Sequence, residues 1–186
     1  MTEKLIEWLR GVVIDTELFD AVHGLAELVQ DGSKVYPVTY EGDGELVSVH
    51  EQDISDGIAY FRILDITDQP LTFDESCADV ETTYKALLFA SVEKGLYSLI
   101  GDDSYSTHRA IEIVKCALWD SDLPRRNQRP VEARIRVAPR RIKTGLNMLK
   151  TEYSGFPDYA NECYKTGVFG IEFDIVVTGK KDCICS

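Results

Sequence analysis

Apolar and polar positions alternate most clearly near the end of the chain. Phe169, Ile171, Phe173, Ile175 and Val177 fall on one face of an extended segment; Gly170, Glu172, Asp174 and Thr178 fall on the other, with Val176 its single apolar exception. Successive side chains of a strand point to opposite faces, so the pattern predicts a half-buried strand over 169–178 with a wet outer surface. A strand of this length needs a partner sheet, which the rest of the chain has to supply.

Two helices are expected first. Leu5, Leu9 and Val12 share a helical face with Ile6 and Val13 beside it, and Gly11 weakens the pattern. Asp15-Thr16 offers a new N-cap, after which Leu18, Val22, Leu25 and Val29 recur at i, i+4, i+7 and i+11 up to a stop at Asp31-Gly32. Residues 35–40 then read as a strand whose Pro37 belongs at an edge or a bulge. The turn 41–44 returns it to a short strand over 46–50, which makes a hairpin. Residues 58–64 are apolar on both faces apart from Arg62 and predict a more central strand.

Residues 80–93 fit period two and period 3.6 almost equally; the pair Thr82-Thr83 tilts the choice toward a central strand. Ile111, Val114 and Leu118 predict a helix over 107–119, and Val131, Ala133, Ile135 and Val137 a one-faced strand. Residues 65–79 and 146–166 are expected as long loops. The first is acidic; the second carries Tyr153, Phe156, Tyr159 and Tyr164 and is expected to fold back over a core edge. No βαβ repeat is present. The expected fold is a single α+β domain over 1–186, an antiparallel (mixed) sheet with α-helices packed on one side.

Composition changes this picture in two ways. At 44% hydrophobic and 28% charged residues the chain reads as a globular protein. No apolar run approaches the ~20 residues that span a bilayer, and Met1-Thr2-Glu3-Lys4 does not open a secretory signal, so synthesis in the cytoplasm without a membrane partner is expected. The net charge of −12 is unevenly spread. Residues 1–122 hold 25 acids against 8 bases, a net of −17, whereas residues 123–150 hold 9 bases against Glu132 alone, a net of +8. Such a chain pairs its own halves or those of neighbouring copies. Its total charge opposes nucleic-acid binding.

Candidate chemistry is sparse. Five cysteines, an odd number, argue against a disulfide framework, and the C-x-C of Cys183 and Cys185 falls short of the four ligands of a closed zinc site. His23, His50 and His108 are scattered, and the acidic positions Asp65, Asp68, Asp74, Glu75 and Asp79 lack the order of a calcium loop. Glu172-Phe173-Asp174 looks like the acidic strand of PD-(D/E)xK nucleases, but only eight residues follow Thr178, too few for the second strand that chemistry needs. Glycines form neither G-x-G-x-x-G nor a P-loop. Neither a catalytic residue, a cofactor nor a metal is expected, and the chain does not read as an enzyme.

The layout from the helix Leu5–Val13 to the strand Phe169–Thr178 resembles the tail terminator, or tail-completion, proteins of tailed bacteriophages. The more telling parts are Thr82-Thr83-Tyr84-Lys85-Ala86-Leu87-Leu88-Phe89-Ala90, Asp103-Ser104-Tyr105-Ser106 and the helix through Leu118. The resemblance implies a structural virion protein at the neck. It implies a homo-oligomeric ring, often hexameric, that caps the tail tube and joins it to the head connector, with DNA passing through the lumen without specific binding. On that basis Arg134, Arg136, Arg140 and Arg141 are the candidate subunit interface, meeting the acidic surface of the next copy. The alternative is a small acidic binding protein, of inhibitor or immunity type, acting on a basic protein partner.

Overall fold

The computed structural model describes residues 2–41, 45–49, 57–70, 79–93, 103–120, 134–156 and 166–180. Within them the chain runs α1 (Thr2–Ile14), β1 (Ala21–Asp31), β2 (Lys34–Glu41), β3 (Glu45–Ser48), β4 (Ile58–Pro70), β5 (Asp79–Glu93), α2 (Asp103–Asp120), β6 (Arg134–Thr144), α3 (Leu146–Glu152) and β7 (Thr166–Lys180). The strands form one mixed sheet in the order β3-β2-β1-β4-β5-β7-β6, in which β1 and β4 run parallel and every other neighbouring pair antiparallel. The α+β architecture is as the sequence predicts. Among the described residues no helix is long and apolar enough to cross a membrane.

The core has two sides because the central strands are apolar on both. Tyr84, Ala86, Leu88 and Ala90 of β5 and Phe169, Ile171, Phe173, Ile175 and Val177 of β7 face α1 and α2, where they meet Leu5, Leu9, Val13, Ala110, Val114 and Leu118. Leu87 and Phe89 face the other way with Tyr60 of β4, toward Met148 and Leu149 of α3. There Tyr60 and Phe89 stack at 4.7 Å between ring centroids. This two-sided burial explains why 80–93 fits two periods at once. It is strand throughout.

Several local expectations are corrected. The second helix, expected over 16–30, is β1. Its pairing with β4 sets Val22 opposite Ala59 and Leu25 opposite Phe61, three steps against two. This bulge turns Val22 and Leu25 to the same face, where Leu18 also packs, so a strand reproduces the i, i+4, i+7 spacing of a helix. Asp31-Gly32 is a hairpin turn rather than a helix stop: Asp31 pairs with Lys34, and Gly32 takes φ 61° as the first residue between them. Asp15-Thr16 likewise closes α1 instead of opening a new helix, with Thr16 Oγ1 donating to the Val13 carbonyl at 2.6 Å.

The loop expected at 65–79 begins as strand, since β4 continues to Pro70 against Val80 of β5. Its residues 64–70 are exposed, so no buried face marked them in the sequence. The loop expected at 146–166 contains α3, which packs on the side of the sheet opposite α1 and α2. The two long helices share one side as expected, and α3 adds a cover to the other. Tyr153 and Phe156 do fold back over that core edge; Tyr159 and Tyr164 lie outside the described residues.

The outer face of β7 is drier than predicted. Gly170 lies under α3, where a Cβ would stand 2.6 Å from Met148 Cε, and Asp174 is 3% exposed. Pro37, expected at an edge or a bulge, lies instead on β2 between β3 and β1: its carbonyl accepts from Val49 N, so its nitrogen faces the β3 side and no β1 acceptor is left waiting.

Candidate interaction surface

The four arginines singled out from the sequence sit on β6, and β6 is the last strand of the sheet. Ile135 and Val137 are buried toward α2, which turns Arg136 to the opposite side, in register with Val176. Arg134 occupies the register position opposite Thr178. A register shift between Pro139 and Arg141 then re-phases the strand. In consequence Arg140, in the bulge, and Arg141, opposite Glu172, both serve the α3 side of the sheet although they are sequence neighbours.

These side chains have different partners. Arg140 turns back onto Asp174 of its own chain, and Lys143, which sequence reasoning did not single out, pairs with Glu172. Arg136 and Arg141 are exposed and have no ion-pair partner among the described residues. The arginine group therefore divides into one cation that satisfies a buried carboxylate and at least two that point at solvent.

The same face carries charge inward from β6. Opposite Asp174 on β5 stands Lys85, whose Nζ donates to Asp65 Oδ2 of β4 at 2.7 Å. Lys85's hydrogen bond, and then its charge, hold the Asp65 carboxyl below its ordinary value; Asp65 raises the Lys85 ammonium by the same contact. On the other face Thr82 Oγ1 donates to Asp68 Oδ1 at 2.8 Å. The acids of the β4 segment are thus held in place by β5.

One buried cluster anchors α3 beneath this surface. Arg62 Nη1 donates to Glu152 Oε1 at 2.6 Å and Tyr60 Oη donates to Glu152 Oε2 at 3.1 Å. Burial raises the Glu152 carboxyl above its ordinary value despite Arg62, and burial also raises the Tyr60 phenol well above its own. Arg62 was visible in the sequence only as the polar exception of a central strand; Glu152, 90 positions away, gave no signal.

Among the described residues no group of three or more His, Cys, Asp or Glu side chains is placed to hold a metal ion. Cys116 is free and exposed, and His108 is exposed on α2. Cys77, Cys163, Cys183, Cys185, His50, Asp74 and Glu75 lie outside the described residues. A comparison with known protein families and with curated proteins finds no match for this chain.

Proposed function

We propose that this chain is a structural virion protein of a tailed phage, similar to tail terminators, that forms or joins a ring between the tail tube and the head connector. The observation that carries this reading is the placement of charge on the sheet. A basic strand, β6, ends it on one side, and acids of β4, an inner strand, stand on the exposed stretch of that strand over 64–70. A molecule with complementary rims adds copies of itself head to tail, and such contacts close into rings when the rotation permits. The chemistry of the role lies in surfaces. A net charge of −12 disfavours adhesion of DNA passing through the lumen.

Two measurements test it. Labelled protein in purified particles is expected at the junction of capsid and tail; its absence there overturns the reading. Light scattering is expected to show a ring-sized assembly that Arg134→Glu with Arg136→Glu abolishes. Tight binding of duplex DNA at physiological salt runs against the channel role. The net charge also fits an inhibitor-type partner of a basic protein, which predicts a monomer or dimer in native mass spectrometry and no place in the particle.

A further inference from the structure

We propose that the margin of β4 over 62–70, unpartnered among the described residues, and the outer margin of β6 are the two halves of one joint, each occupied by a second copy of this chain. This specifies the contact of the ring reading and rests on it. β1 bonds β4 only along 58–61. Beyond that point β4 has β5 on one side and, among the described residues, no strand on the other, and 64–70 are exposed. Two open strand margins on one sheet are two templates for backbone pairing.

Three independent features fit them to each other. The first is sign: over 62–70 the β4 segment holds Asp65 and Asp68, with its one base, Arg62, paired to Glu152, whereas 134–144 hold five bases and no acid. The second is apolar exposure. Five large apolar side chains stand exposed among the described residues, and three of them, Leu64, Ile66 and Ile142, lie on these two strands. The third is facing. Ile66 is in register with Tyr84 and Ile142 with Ile171, both of which face α1 and α2. Asp65 is in register with Lys85, Arg136 with Val176 and Arg141 with Glu172, on the α3 side. A sheet continued from one copy into the next therefore brings isoleucine to isoleucine on one face and carboxylate to guanidinium on the other.

The direction also follows. β4 and β7 run one way, β5 and β6 the other, so a neighbour's β4 laid beside β6 continues the antiparallel alternation. Self-pairing is excluded by the same features. Two β6 strands repel, as do two acidic β4 segments, and Pro70, Pro139 and the bulges at 63–65 and 139–141 guard each margin against unspecific partners. Only the unlike pair remains, and an unlike contact propagates.

The test uses two charge-reversed full-length chains, Arg136→Glu with Arg141→Glu, and Asp65→Lys with Asp68→Lys. Each alone is expected to sediment as a monomer, because like charges then meet on the α3 side of the joint, where Asp65 of one copy stands against Arg136 and Arg141 of the next. An equimolar mixture is expected to recover assembly, in even-numbered particles, with each chain supplying the margin the other lost. Assembly of the wild type that survives both variants overturns the joint and leaves the ring reading standing; a wild type that is monomeric at every concentration overturns both. Failure of the folded variants to co-assemble also overturns the joint. A measurement free of substitution guards against misfolding: hydrogen exchange in the wild type is expected to slow with concentration at 62–70 and 134–144 and to stay unchanged at β3. Equal slowing at β3, or none at the two margins, refutes the assignment.

Discussion

Replacing Glu152 by alanine removes a carboxylate whose side chain has 0% exposure and which serves two donors at once. Arg62 loses its partner at 2.6 Å while its Nε is already buried without a hydrogen bond, and the buried Tyr60 hydroxyl loses its acceptor at 3.1 Å. Breaking a buried ion pair from one side costs about 3–5 kcal/mol, because the remaining charge stays uncompensated. An orphaned hydroxyl adds about 1–3 kcal/mol, but the two do not sum when one water serves both. Arg62 is 18% exposed and recovers some hydration, which places the expected loss near the lower end, about 3–4 kcal/mol. Urea unfolding followed by circular dichroism is expected to show the midpoint fall with an unchanged slope. The triple variant Tyr60→Phe, Arg62→Met, Glu152→Met is expected to unfold close to the wild type, since an apolar replacement has no charge to strand. A loss below about 1 kcal/mol for Glu152→Ala refutes the argument, because that is the size of an exposed pair. The pH dependence follows with a definite sign. The folded state binds the Glu152 proton more tightly than the unfolded chain, so this group's contribution is full below the unfolded value, about 4.3. It is lost as pH rises through the higher folded value. Glu152→Gln is expected to flatten the stability profile in that window.

Gly170→Val is expected to destabilise more than Gly170→Ala, because a Cβ there meets Met148 Cε at 2.6 Å and Leu87 Cδ1 at 3.1 Å; Met148→Ala in the same chain is expected to recover part of the loss in thermal melts. Gly155→Ala is expected to cost about 1–3 kcal/mol in chemical denaturation, since φ is 86° and the new Cβ collides with the Ser33 carbonyl oxygen. Leu9→Ala, at a fully buried position of α1, is expected to cost about 2–5 kcal/mol, and a value under about 1 kcal/mol means that α1 is not docked as described.

What the sequence revealed and what it hid follow from burial. β7 and the β2–β3 hairpin were legible because each carries a face committed to a core or a turn of fixed chemistry, whereas β5 fitted two periods because both of its faces are buried. β1 was hidden by its bulge: Val22 and Leu25 on one face mimic helical spacing, and only the pairing with Ala59 and Phe61 separates the two cases. Residues 65–70 gave no strand signal because none of them is buried. α3 is short and starts after Gly145 at φ 71° without a side-chain cap, so the usual marks of a helix start were missing. For the interaction surface, the concentration of arginines on one strand could be read directly. Their division could not: the bulge at 139–141 that sends Arg140 to Asp174 depends on contacts with β7.

The parallel join between β1 and β4 spans only a few residues, yet among the described residues it alone pairs the β3-β2-β1 wing with the rest of the sheet. Two clasps add to it from other elements: Arg10 of α1 donates to the Val22 carbonyl, and Val35 N donates to the Ser154 carbonyl beyond α3. Loosening either clasp should let three strands swing or exchange as a unit while the remaining four keep their shape.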